Sequence, residues 1–168
     1  PFMLAFTSAP PANPTTDTLA TLTVEVQDTN GNPTNPAVNV MVMLQINTNP
    51  GGSVLGAAVN PITITTAMTS DNFTMVNLNR PGSGYILDTT NTGGLVDAVT
   101  DAFDVTTGAP ATVAFTVEPT DSDTGTDMSA AVNVQDAAGN NINAQEVVMS
   151  IGTDPSSGAA MLTSALGL

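Results

Sequence analysis

"VEVQDTNGN" (Val24 to Asn32) returns as "VNVQDAAGN" (Val132 to Asn140), an offset of 108 residues in a chain of 168. That spacing suits one small domain better than a short solenoid unit. The echo extends to both sides. "LAFTSAPP" (Leu4 to Pro11) matches "VAFTVEPT" (Val113 to Thr120), and "VMLQINTNPGG" (Val42 to Gly52) matches "VVMSIGTDPSSG" (Val147 to Gly158). The offset drifts from 109 to 108 to 105 between these segments. Small insertions and deletions of this kind are tolerated in loops and not in strands, so the matched segments are the expected strands of a tandem repeat.

Within the phrase, Leu22, Val24 and Val26 alternate with Thr23, Glu25 and Gln27, the period of a half-buried strand. Asn30 and Gly31 then offer the positive φ of a tight turn, and Asp28 is placed to bond the turn amides. Asp136 and Gly139 repeat these roles in the second copy. "VNVMVMLQI" follows, with Val38, Val40, Val42, Leu44 and Ile46 expected to face inward. Shorter strands are expected at "MLAFT", "ITITT", "NFTMVNL", "GYILDT" and "AFDVT", while "GGLVDAVTDAF" (Gly93 to Phe103) is the one weak helical candidate. Seven or eight short strands in about 105 residues give an all-β chain of tandem immunoglobulin-like sandwiches, one complete and one partial. The expected division is a first domain over 1–106, a linker over 107–111 and the N-terminal part of a second domain over 112–168.

Composition agrees. Hydrophobic residues make up 41% of the chain, enough to bury a core, and Thr is about a sixth of it, a strand-favouring balance. Fifteen acidic residues face one basic residue, Arg80, giving a net charge of −14, which repels nucleic acid and anionic membrane surfaces. With no His and no Cys, imidazole base catalysis, Ser-His and Cys-His pairs, disulfides and the usual zinc ligand sets are absent. A glycosidase-like pair of carboxylates is disfavoured by three Glu, dispersed Asp and few aromatics. The longest apolar run, around "VMVML", is far short of a membrane span. The sequence begins "PFMLAF", without an initiator Met or a signal segment, as a mature or internal fragment does.

"VEVQDTNGNP", the alternating Val strand, "PGSGYIL" and the closing "FDV" together resemble the bacterial Ig-like repeats of invasin- and intimin-type surface proteins. The match covers residues 3 to 106 whole and 110 to 168 in part, and the second copy lacks the Pro after Asn140. The resemblance implies an extracellular or cell-surface spacer, stalk or adhesin module, and no catalytic residues.

Several residues carry more specific expectations. Tyr85, the only Tyr, is placed for a tyrosine corner, with a plain buried ring as the alternative. Asp121, Asp123 and Asp127 in "TDSDTGTD" are candidate Ca²⁺ ligands or a solvated acidic loop, with Asp97, Asp101 and Asp104 as a second acidic group on the other side of the linker. Met41 and Met43 fall on the outward side of the Val strand, so a contact with a neighbouring domain or subunit, a covering loop, or scattered surface Met are the readings open. Asn72 in "DNFT" is the one acceptable N-glycosylation sequon, and the Thr clusters suit either O-linked sugars or simple β propensity.

Self-assembly with copies of itself or neighbouring repeats is therefore the expected partnership, as a structural repeat of an extracellular filament, stalk or surface layer. The alternative is an adhesin segment that binds a receptor or surface glycans through loops at the tip. No cofactor is expected beyond the Ca²⁺ candidate. The second copy has no counterparts of Tyr85 and the last three strands of the first, so the polypeptide is expected to continue past Leu168 with a Gly-Tyr strand and a closing Phe-x-Val strand.

Overall fold

A computed structural model describes residues 2–123, 125–154, 156–158 and 160–162. The described elements are all strands, in antiparallel sheets. Eight of them build the N-terminal sandwich: β1 (Met3–Phe6), β2 (Ala20–Gln27), β3 (Val40–Thr48), β4 (Leu55–Gly56), β5 (Ile62–Ile64), β6 (Ser70–Leu78), β7 (Gly82–Asn91) and β8 (Phe103–Val105). Three more, β9 (Thr112–Val117), β10 (Ala131–Gln135) and β11 (Asn141–Ile142), form a separate three-stranded sheet in the order β11-β10-β9.

The sandwich has one sheet in the order β1-β2-β6-β4 and a second in the order β5-β3-β7-β8. Alternation decides which side chains lie between them. Leu22, Val24 and Val26 of β2 with Leu4, Phe73 and Val76 of the first sheet meet Val40, Val42, Leu44, Ile62, Ile64 and Leu87 of the second. At about 1.5–3 kcal/mol for each such side chain buried, this layer holds the two sheets together. Strand β4 has no counterpart in the sequence reading, because two residues are too few to show a period. Val38 is a correction: it lies ahead of β3 and is 63% exposed, since the strand and its pairing with β5 start at Val40.

The helical candidate Gly93 to Phe103 is also corrected. This segment is an extended strap whose backbone bonds lead to its neighbours: Leu4 N donates to Val96 O at 2.8 Å, and Thr100 N donates to Leu87 O at 2.9 Å. The hydroxyl of buried Thr89 accepts from Ala98 N at 2.9 Å. Two adjacent glycines and β-branched Val96 and Val99 weaken a helix here, and the open edges of β1 and β7 supply the alternative partners.

The second copy repeats the first only through its turn. Strand β9 corresponds to β1, yet Val113 and Phe115 are largely exposed where Leu4 is buried. Val147 to Ile151, expected as the counterpart of β3, is not a strand. In the first copy β3 is held between β5 and β7, and among the described residues no such pair flanks the matched segment. It lies instead over β9 and β10, sharing a hollow with Val113, Phe115 and Val132.

Candidate functional site

The repeated turns have the same internal construction. In the first, Asp28 Oδ1 accepts from Asn30 N at 2.8 Å and Asn32 N at 2.9 Å, and the Asn32 side-chain amide reaches both carboxylate oxygens. In the second, Asp136 Oδ1 accepts from Ala138 N at 2.9 Å and Asn140 N at 2.8 Å, and the Asn140 amide again spans both oxygens. Gly31 and Gly139 both stand at φ 81°, in the left-handed region where a side chain is strained. An Asp that bonds amides two and four residues on, with Gly between, is a self-sufficient turn.

The surroundings of the two turns differ. Asp28 is half-buried with the rest of its turn exposed, whereas Asp136 and Asn140 are 1% and 8% exposed because they bear on the end of the N-terminal sandwich. Thr16 Oγ1 donates to Asp136 Oδ2 at 2.6 Å, Gly108 N donates to the same oxygen at 3.1 Å, and Asn140 Nδ2 donates to Asn79 O at 3.0 Å. Thr16, Asn79 and Gly108 thus form a polar rim: one residue from the loop before β2, one from the β6–β7 connection, one from the segment after β8. A buried carboxylate without a cation is costly unless fully bonded. Burial pushes the Asp136 carboxyl upward, but the bonds from Thr16, Asn140 and Gly108 outweigh it and hold the group well below the usual carboxylate range.

The linker is fixed by the same rim. Thr16 N donates to Thr106 O at 2.9 Å, Thr106 N donates to Pro14 O at 3.0 Å, and Ala109 N donates to Asp17 Oδ2 at 2.9 Å. A Cβ on Gly108 would run into the Asp17 carboxylate and push it out of its bond with Ala109 N. Ala111 N then donates to Gln135 O at 2.8 Å, which leads directly into β9. Arg80, the only basic residue of the chain, borders an open polar hollow beside the joint with Asn133, Gln135 and Asn141.

The other expected sites are distributed as follows. Tyr85 is fully buried, and its hydroxyl donates to Arg80 O at 2.9 Å, the upstream-backbone bond of a tyrosine corner. Gly51 and Gly82 close around that ring, and a Cβ on Gly51 would overlap the Tyr85 hydroxyl and the Pro81 carbonyl. Met41 and Met43 are 43% and 44% exposed on the outer face of β3, level with Thr63 of β5 and Thr90 of β7, with no loop covering them. Asn72 is exposed in β6, and its Oδ1 accepts from the Thr23 hydroxyl at 2.7 Å.

The three acidic positions Asp121, Asp123 and Asp127 are exposed along one loop, and among the described residues no group of three or more acidic side chains is close enough together to hold a metal ion. Nor do Asp97, Asp101 and Asp104 join them. Asp97 accepts from Asn91 Nδ2 at 2.8 Å, and Asp104 accepts from Ser83 Oγ at 2.7 Å and Gly84 N at 2.9 Å, which lowers its pKa.

What the sequence reading missed is the role of Thr16, Asn79, Gly108 and Asn140. The one signal for it was the persistence of Asp and Asn in the second turn while "TN" between them changed to "AA". Among the described residues no helix is long and apolar enough to cross a membrane. No protein-family model matches the chain, and neither a curated protein nor a solved structure matches it.

Proposed function

We propose that this chain is a stretch of a non-catalytic structural repeat protein of an extracellular filament, stalk or surface layer, in which immunoglobulin-like units meet end to end. The observation that carries the proposal is the seating of Asp136 in the rim of Thr16 and Gly108. A flexible tether between independent units needs no buried carboxylate at the junction and no bonded linker. A load-bearing or shape-holding array needs both, because a fixed angle at each joint sets the form of the whole.

The composition supports the same reading. A chain without His or Cys lacks the imidazole and thiol groups that catalysis often uses, and its one basic residue, Arg80, is followed by Pro81, which leaves trypsin-like proteases almost nothing to cleave. The resemblance of its sequence to invasin- and intimin-type repeats supports a position outside the cell. Met41 and Met43 supply an apolar pair on an otherwise Thr-rich face, suited to lateral contact between copies. Electron micrographs of the native material test the proposal: a polymer with an axial repeat of one or two domain lengths is expected, and isolated monomers would refute it.

A further inference from the structure

We propose that the exposed Asp28 turn is a second docking knob, shaped to enter the rim of another copy of the N-terminal sandwich and to meet its Thr16, Gly108 and Asn79 there. Its seated twin in the same chain is the basis. The two turns agree in the amide bonds to the first carboxylate oxygen, in the Asn bridge between the oxygens and in the glycine φ of 81°. They differ in what reaches the second oxygen. Asp136 Oδ2 takes Thr16 Oγ1 and Gly108 N in addition to the Asn amide, whereas among the described residues Asp28 Oδ2 takes only Asn32 Nδ2, at 3.1 Å. Likewise the Asn140 amide reaches Asn79 O, and the Asn32 amide bonds only within its own turn.

The approach of the chain also agrees. Phe2 N donates to Gln27 O at 2.8 Å just as Ala111 N donates to Gln135 O at 2.8 Å, so a segment enters beside each turn along the same path. At the turn three positions change: Thr29 and Asn30 stand where the seated turn has Ala137 and Ala138, which are exposed, and Pro33 stands in place of Asn141, whose Oδ1 accepts from Asn133 and Gln135 of its own sheet, so none of the three replaces a docking group. Knob and rim sit at opposite ends of the N-terminal sandwich, Asp28 following β2 and Thr16 preceding it. A contact between two different ends is heterologous, and repeated in one direction it generates an open array. The inference rests on the reading of the chain as part of an array. The two fail separately, because micrographs report on the polymer and the following titration reports only on the turn.

Within each chain the rim is already filled by Asp136, so the test supplies an empty one. Isotope-labelled wild-type chain is titrated with unlabelled chain carrying Asp136→Ala and Asn140→Ala, and its amide resonances are followed by NMR. The rim keeps bonds that do not involve Asp136: Gly108 N donates to Thr16 Oγ1 at 2.8 Å, Thr16 N to Thr106 O at 2.9 Å and Ala109 N to Asp17 Oδ2 at 2.9 Å. Saturable shifts at the Asn30 and Asn32 amides are expected, at least tenfold larger than those produced by unlabelled wild type. Adding Thr16→Val to the partner, or Asp28→Ala to the labelled chain, is expected to weaken the interaction at least tenfold. The proposal is overturned if those amides stay in place at millimolar partner, or if their shifts persist undiminished with the Thr16→Val partner.

Discussion

Thr16 and Asp136, 120 residues apart in sequence, are joined by a hydroxyl-to-carboxylate hydrogen bond of 2.6 Å inside the joint between two repeats. A neutral donor bonded to a buried charge is worth about 1.5–3 kcal/mol, so Thr16→Val, which keeps the shape and removes the donor, is expected to weaken docking by that amount. Hydrogen exchange at the amides of Gly108, Ala138 and Asn140 reads this directly. Faster exchange confined to the joint is expected, with the N-terminal core unchanged.

Acid opens the same joint. The Asp136 carboxyl is held below its ordinary value in the folded state, so its contribution is present above the unfolded pKa of about 4 and is lost as pH falls through the lower, folded value. Scattering measured from pH 6 downward is expected to show constant dimensions to about pH 4 and expansion below it. Asp136→Asn separates this step from general acid effects: the variant is expected to be looser at pH 6 and to lose the acid-dependent part of the expansion.

Around Tyr85 the expected changes differ in size. Tyr85→Phe removes one hydrogen bond to Arg80 O and is expected to cost about 1 kcal/mol. Gly51→Ala forces a methyl group against the Tyr85 hydroxyl and the Pro81 carbonyl, one of them rigid backbone, and is expected to cost more, about 1–3 kcal/mol. Denaturant unfolding of the two variants provides the comparison. Equal stabilities would show that the corner relaxes around the added carbon.

Met41 and Met43 stand on the open face of β3 and contribute little to the core. Replacing both with Asp is expected to change the thermal midpoint of the isolated chain only slightly, as surface substitutions within about 0.5 kcal/mol do. Polymer formation is expected to weaken. Unaltered assembly would remove this face from the set of contacts.

Period-two alternation made β2 and β3 legible, because each sends Val, Leu or Ile inward at every second position, whereas in β6 the period slips at Met75, exposed at φ 54° between buried Phe73 and Val76. The strap over Gly93 to Phe103 was not legible: its own residues only weaken a helix, and its extended path is set by bridges to β1 at Met3 and to β7 at Asp88. Val147 to Ile151 misled for the converse reason, since among the described residues no strand pairs with it on either side. For the joint, sequence supplied half of the contact. Asp136 and Gly139 announced a turn, but Thr16, Asn79 and Gly108 are ordinary loop residues whose convergence is a product of the completed sandwich.

The central claim, that successive repeats are held at a fixed angle by a buried polar joint, is tested most directly by residual dipolar couplings of the wild-type chain near neutral pH. Couplings from β1 to β8 and from β9 to β11 are expected to fit one common alignment tensor, and to need two once Asp136→Ala is introduced. Two independent tensors in the wild-type chain would contradict the account.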